Sequence, residues 1–288
     1  MLRGSAFHLF HESLSKGASL KKALKVAVAY IDRYLKENEE YHHPDEVADI
    51  HKVKSLVIGM CKGSYEVYKK RKAKVVGSEM HFRARVRDLE GDFSVYAGTL
   101  DQIVETPDYY YVGDFKTKGY THAATSEWLR HDSQTLGYAW LLRSCLESGL
   151  FLQGKRYKKG KPVFGVQMNI IGITKIRHKQ TQTYEEYLQE LEDIYIEQQE
   201  KYFTSFFVPI EDKKLDAWED DLYNEIKEIQ ARKKWKKNTN MCIQSYMCCE
   251  YLALCLDGMN RVNRNLYDQR PPSYWDPQIS AEGDLLDV

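Results

Sequence analysis

The stretch from Phe93 to Thr117 constrains the fold most, because it contains two segments with strand character separated by a short turn. Phe93 to Glu105 and Tyr109 to Thr117 are rich in β-branched and aromatic residues. The intervening Thr106-Pro107-Asp108 favours a tight connection. We therefore predict an antiparallel hairpin in which Glu105 lies opposite Tyr110.

In that register the hairpin brings two carboxylates together, since Asp101 falls opposite Asp114. Lys116 follows two residues after Asp114, so both side chains leave the same face of the strand. Two adjacent carboxylates favour a hard divalent cation such as Mg²⁺ or Mn²⁺, and a neighbouring lysine can stabilise charge on a phosphate. The alternative is that these residues are ordinary surface charges.

The remaining pattern alternates between helix and strand. His81, Arg83, Arg85 and Arg87 alternate with Phe82, Ala84 and Val86, which predicts a strand with one basic and one apolar face. A further strand is expected over about 162–174. Helices are expected over 6–36, 45–71, 126–150, 184–202 and 216–237, the third capped by Ser126 or Thr125 and stopped by Gly149.

This order predicts an α/β fold, with a mixed central sheet flanked by helices. The basic loop from Gln153 to Lys161 allows two interpretations, a hairpin extension or a mobile arm.

The composition and the longest apolar runs argue against a membrane or secreted protein. The 288 residues contain 42 basic and 42 acidic residues, so the net charge is zero, although local basic clusters occur, for example from Lys69 to Lys74. No apolar run approaches the roughly 20 residues of a membrane helix, and the N-terminus lacks a secretory pattern. We therefore expect a cytoplasmic protein that does not bind membranes.

Five motifs in order resemble the RecB-like branch of the PD-(D/E)XK nuclease superfamily, in the version common in phage and bacterial exonucleases and related to CRISPR-associated exonucleases. The matching motifs are Gly4-Ser-Ala-Phe-His8, Glu79 after Val76-Gly77-Ser78, Gly98-Thr99-Leu100-Asp101, Asp114-Phe115-Lys116-Thr117, and Gln134 with Tyr138. The resemblance implies a restriction-endonuclease-like core at 75–182, preceded by a helical region at 1–74 and followed by a helical C-terminal extension at 183–288.

The resemblance also implies roles for these residues. Asp101 and Asp114 would hold Mg²⁺ or Mn²⁺, with His8 as a further ligand and Lys116 acting on the attacking water. Glu79 would lie near the metal or its waters. The remaining two motif residues, Gln134 and Tyr138, would contact the DNA backbone or support the catalytic strand. His11, one turn after His8, is the alternative histidine.

A cysteine cluster lies near the C-terminus, where Cys242, Cys248, Cys249 and Cys255 fall within 14 residues. Some RecB-like relatives hold an iron–sulfur cluster with three such cysteines and one upstream, and Cys242, Cys249 and Cys255 match the three. The fourth ligand would be Cys61, Cys248 or a group outside the chain. Buried thiols without a cluster are an equal alternative.

The function that these features favour is a metal-dependent DNA nuclease. We expect an exonuclease that acts in recombination, repair or phage replication, with DNA and a recombination or replication protein as partners. One alternative is an RNA endonuclease, and another is a catalytically idle DNA-binding subunit of a recombination complex.

Overall fold

The computed structural model describes residues 2–37, 44–70, 73–87, 95–118, 129–149, 151–152, 155–156, 161–233, 243–244, 247–248, 255 and 286–287. The chain divides into two compact units, one of residues 1–221 with 286–288 and one of residues 222–285. No helix in the described ranges is long and apolar enough to cross a membrane.

The helices are α1 (Leu2–Ser15), α2 (Leu20–Glu37), α3 (Pro44–Tyr68), α4 (Ser133–Glu147), α5 (Tyr184–Glu197), α6 (Gln199–Tyr202) and α7 (Asp212–Ala231). The long strands are β1 (Lys74–Arg85), β2 (Val95–Glu105), β3 (Tyr110–Lys118), β6 (Val163–Gly172) and β7 (Phe203–Pro209). Two-residue strands complete the set: β4 (Phe151–Leu152), β5 (Lys155–Arg156), β8 (Ile243–Gln244), β9 (Met247–Cys248) and β10 (Leu286–Asp287).

The central sheet is mixed and flanked by helices, which confirms the predicted α/β class. Its strand order is β10-β1-β2-β3-β6-β7. The β1–β2, β2–β3 and β6–β7 pairs are antiparallel, whereas the β10–β1 and β3–β6 pairs are parallel. The sheet thus changes from an antiparallel meander to a parallel pair at β3, the strand that carries Asp114 and Lys116.

The hairpin register agrees with the sequence-based expectation. Glu105 pairs with Tyr110 and Gln102 with Gly113. Thr106 closes the turn, with its backbone N–H donating to the Tyr109 carbonyl at 3.0 Å. The alternation predicted in β1 is also present, because Phe82, Ala84 and Val86 are buried.

Helices α1, α2, α3 and α5 pack on one another around a core that includes Phe7, Phe10, Ile31 and Tyr195. From the sheet, Phe115, Ile171 and Phe203 join this core. Burial of such side chains contributes on the order of 1.5–3 kcal/mol each. This packing fixes α1 against the sheet, which matters because α1 carries His8.

Three expectations about secondary structure are wrong. The helix predicted over residues 6–36 is broken at Gly17, whose φ of 84° lies in the left-handed region that ends helices. The helix expected over 126–150 is not continuous in its described part, since α4 begins at Ser133, where Asp132 is extended and its carboxylate accepts the Thr135 N–H at 2.9 Å. The predicted caps Ser126 and Thr125 lie outside the described residues.

The third error is β7, which we did not predict. Its residues pair with β6 from Gly165 and Pro209 to Ile171 and Phe203. Strand β4 lies just before the 153–161 segment and pairs with β5 inside it, which fits the hairpin interpretation. Gly149 does follow the end of α4 with a φ of 92°, as expected of a helix stop.

Candidate active site

Helix α1 directs His8 at two carboxylates. Its buried residue Phe7 packs edge-on against Phe115 of β3, with ring centroids 5.9 Å apart. The next residue, His8, places Nδ1 3.0 Å from Glu79 Oε1 and 3.4 Å from Asp101 Oδ1. A histidine 71 residues from one partner and 93 from the other is thus brought into a single cluster.

Glu79 reaches this cluster through an unusual backbone conformation. Its φ is 49°, in the left-handed region that a residue with a side chain seldom adopts. The β1–β2 register shifts nearby, between Val75 and Gly77. Such conformations cost on the order of 1–3 kcal/mol and are concentrated at functional sites.

Asp101 lies just beyond the last paired residues of β2 and β3. Its Oδ2 accepts the backbone N–H of Phe115 at 2.8 Å. The residue is 8% exposed, and its other carboxylate oxygen, Oδ1, faces His8. Asp101 therefore bridges the central strand and α1.

Asp114 is almost fully buried, with an exposed fraction of 2%. Its Oδ1 accepts a hydrogen bond from Lys116 Nζ at 3.1 Å, while Oδ2 is buried and accepts none from the described residues. Burial, together with the negative charge of Asp101, raises the pKa of Asp114 to about 7. A buried carboxylate oxygen without a donor is costly unless another group binds it.

Lys116 starts a chain of hydrogen bonds that leads to α4. Its Nζ donates to Gln134 Oε1 at 2.9 Å, and Gln134 Nε2 donates to the Tyr138 hydroxyl at 2.9 Å. Burial, and the charges of Asp114 and Asp101, raise the pKa of the Tyr138 phenol above its usual range. The two α4 residues predicted from their i, i+4 spacing therefore lie together beside the lysine.

His11, the alternative histidine, has a different environment. It is buried, stacks on Phe115 at 4.3 Å and hydrogen-bonds Ser64 Oγ through Nε2 at 3.1 Å. Sequence reasoning missed this support of the central strand. The available signal was the large aromatic residue Phe115 between the charged residues Asp114 and Lys116, since such a side chain needs an apolar partner on the other face of the strand.

One comparison with known proteins identifies the family. The family model described as the PD-(D/E)XK nuclease superfamily matches residues 2–256. The chain belongs to the PD-(D/E)XK nuclease superfamily. We found no significant match among curated proteins.

Members of this superfamily are metal-dependent nucleases, and the residues present fit a divalent cation. His8, Glu79 and Asp101 each offer a ligand atom, and these atoms lie within 4.8 Å of one another. The donor-free Oδ2 of Asp114 is a third oxygen, and a fourth candidate ligand atom, of the kind that Mg²⁺ and Mn²⁺ prefer. The sequence-based metal set of His8, Asp101 and Asp114 stays a prediction, and the geometry adds Glu79 as a candidate.

The side chains of the cluster compensate part of one another's charge. Burial lowers the pKa of His8, but the hydrogen bonds and charges of Asp101 and Glu79 outweigh it and raise the pKa to about 10. The imidazolium then neutralises part of the acidic cluster. A cation bound by the His8 ring would have to displace this proton, because only a neutral imidazole is a ligand.

The structure describes only part of the predicted C-terminal cysteine cluster. Cys242 and Cys249 lie outside the described residues, and Cys255 is partly buried in the second unit. Cys61, one candidate for the fourth ligand, is fully buried among apolar side chains, and burial raises its pKa. Iron–sulfur ligation therefore stays a prediction.

Proposed function

We propose that this nuclease is a Mg²⁺- or Mn²⁺-dependent deoxyribonuclease of the RecB-like branch, which degrades DNA from its ends in recombination, repair or phage replication. The observation that carries the proposal is the buried Oδ2 of Asp114, which has no donor among the described residues and lies beside Lys116. The five family-like motifs support the RecB-like assignment. The idle-subunit alternative is disfavoured because the acidic pair and the lysine are all present.

The metal would be held by His8, Glu79, Asp101 and Asp114. When bound, such an ion stabilises charge on a phosphoryl oxygen and lowers the pKa of a coordinated water. The protein's own contribution is positional. Asp101 is fixed by the Phe115 N–H, so the carboxylate is already oriented before any ligand arrives.

Lys116 is the cation that can act on the attacking water or on the phosphate. Asp114 and Gln134 both accept its N–H groups, which leaves one ammonium proton of three for a ligand. Because it is held at two points, Lys116 loses little freedom when it meets the substrate.

Tyr138 is suited to donate to a phosphate oxygen. Its hydroxyl accepts from Gln134, so its own proton remains available for donation. The raised pKa keeps the phenol protonated across the neutral range. Tyr138 would thus bind the DNA backbone and Gln134 would position both Tyr138 and Lys116.

The deciding experiment incubates the purified protein with Mg²⁺ or Mn²⁺ on end-labelled linear DNA and on closed circular DNA. An exonuclease degrades the linear DNA and leaves the circle intact. Cleavage of the circle would make the protein an endonuclease, and cleavage of a matched RNA but not DNA would favour the RNA endonuclease alternative. A Lys116→Ala preparation controls for contaminating nucleases.

A further inference from the structure

Strands β1 and β2 form a long ribbon that extends past β3. The β1–β2 pairing continues to Arg85 and Val95, whereas β2 pairs with β3 only from Gln102 to Glu105. Residues 95–100 of β2 therefore pair with β1 and not with β3. The two faces of this ribbon have different surroundings.

One face is covered by helices. Phe82 pairs with Gly98 and Ala84 with Tyr96. A Cβ on Gly98 would lie 3.3 Å from Leu141 of α4, and the Tyr96 ring meets Trp140 edge-on at 5.9 Å. This face is part of the core.

The other face carries the basic residues. In the printed register His81 pairs with Thr99, Arg83 with Ala97 and Arg85 with Val95. His81, Arg85 and Ala97 are exposed, and the other members of these pairs are half-buried. We call this surface, formed by His81, Arg83, Arg85, Val95, Ala97 and Thr99, the ribbon face. None of these six residues is acidic, and on the neighbouring strand β10 Asp287 is the register partner of Arg83.

The ribbon face leads directly from the candidate metal site. Thr99 precedes Asp101 by two residues and Val95 precedes it by six. At about 3.4 Å per residue, the level of Arg85 is roughly 20 Å from Asp101. A DNA strand in a duplex rises by the same 3.4 Å per nucleotide, so this distance corresponds to about six base pairs.

Arg87, by contrast, is engaged by the fold. Its φ of 47° departs from strand geometry, and its guanidinium forms ion pairs with Glu219 and Asp220 of α7. For Arg85 the described residues include no ion-pair partner. Arg83 takes part in an interaction within the protein, so Arg85 is the sharper probe.

We propose that the ribbon face is the surface that binds the phosphate backbone of the nucleic acid next to the cleavage site, with Arg85 as the phosphate contact. Guanidinium groups suit this role because they bind phosphates in a planar, bidentate geometry. The small side chains of Ala97 and Thr99 leave the backbone room to approach. This inference rests on the proposed nuclease function and extends it to the path of the substrate.

The test compares Arg85→Gln and the double variant Arg83→Gln/Arg85→Gln with a matched control, Lys25→Gln/Arg33→Gln, which removes two exposed charges from α2. Affinity for a 30-base-pair duplex is titrated against salt, with Ca²⁺ replacing Mg²⁺ to suppress cleavage. Single-turnover cleavage with Mg²⁺ is then measured at saturating DNA. Circular dichroism and Tm confirm that each variant is folded.

Log affinity falls with log salt, and each lost phosphate contact makes this negative slope shallower by about 0.9. We expect the steepness of the slope to decrease by about 1 for Arg85→Gln and by at least as much for the double variant, with little change in the control. The saturated cleavage rate of the Lys25→Gln/Arg33→Gln control should equal that of the wild type, because these two α2 residues belong neither to the ribbon face nor to the candidate site.

Two outcomes would overturn the inference, and they are distinguishable. If the wild type cleaves DNA but the ribbon variants keep the slope of the control, the substrate follows another path and the proposed function stands. If the wild type neither binds nor cleaves DNA or RNA, the proposed function fails and the ribbon inference fails with it.

Discussion

Replacing Asp114 by asparagine should abolish cleavage and at the same time stabilise the metal-free protein at pH 8. The carboxylate is buried, with one oxygen that has no donor among the described residues, and burial raises its pKa to about 7. Ionising it in the folded protein is therefore unfavourable unless a cation binds. Asparagine has nearly the same shape and carries no charge.

The size of the effect follows from the pKa. A rise from the ordinary 3.8 to about 7 corresponds to roughly 4 kcal/mol, at about 1.36 kcal/mol per pKa unit. Because the folded pKa is the higher one, this group's stabilising contribution is complete below pH 3.8 and is lost as pH rises through about 7. The loss of the Lys116 hydrogen bond offsets part of the gain, so we expect roughly 2–4 kcal/mol at pH 8.

Thermal unfolding in a chelator measures this directly. Near this protein's size, 1 kcal/mol shifts Tm by about 2–4 °C, so Asp114→Asn should raise Tm by roughly 4–16 °C at pH 8. The gain should shrink by roughly 1.4 kcal/mol at pH 6, because the folded carboxyl is then largely protonated while the unfolded one is still ionised. Adding Ca²⁺ or Mg²⁺ should raise the Tm of the wild type at pH 8 but not that of the variant. The exposed Asp108 provides the control, because Asp108→Asn should change neither the Tm in chelator nor the rise in Tm on adding the cation.

A lower Tm for Asp114→Asn in chelator at pH 8 would refute the argument that Lys116 compensates the buried charge only in part. An undiminished metal-induced rise in the variant would separately remove Asp114 from the metal site. Near-wild-type single-turnover cleavage by the variant would reject its catalytic role.

Three further predictions concern other parts of the chain. Lys116→Ala should reduce the single-turnover cleavage rate by about 10²–10³ with an unchanged circular dichroism spectrum, and a smaller loss would argue against charge stabilisation by this lysine. Gly63→Ala should destabilise the fold by roughly 1–3 kcal/mol in chemical denaturation, because its Cβ would lie 2.7 Å from the Tyr195 carbonyl oxygen, whereas Gly4→Ala has no contact closer than 4.0 Å and should be tolerated. If the C-terminal thiols bind a cluster, anaerobic protein should be brown and Cys249→Ser should lose colour and stability together, whereas colourless protein without iron or zinc would reject ligation.

Much of the fold near the site follows from local patterns in the sequence. Period-two alternation located the buried face of β1, and the turn at Thr106 to Tyr109 set the register of Glu105 and Tyr110. Register is determined locally because a shift of one residue would move every side chain to the wrong face. The helical spacing of Gln134 and Tyr138 likewise placed both on one side of α4.

Other elements escaped local patterns because competing signals were equally strong. The apolar periodicity of 6–36 continues through Gly17, and only the left-handed backbone there shows the break. Thr125, Ser126 and Asp132 all have high capping propensity, so the sequence does not single out Asp132 as the N-cap of α4. The pairing of β7 with β6 joins residues about 40 apart in sequence, and short periodicity contains no information about such partners.

The sequence alone determined the hairpin and the residue types that suit a metal, and the tertiary structure alone decided how they meet. Packing of Phe7 and Phe10 into the core positions α1 so that His8 reaches Glu79 and Asp101. Burial, which depends on the whole assembly of helices on the sheet, leaves one oxygen of Asp114 without a donor and raises its pKa. Contact partners far apart in the chain and the desolvation of a charge are both properties of the packed structure, so no local pattern could have specified them.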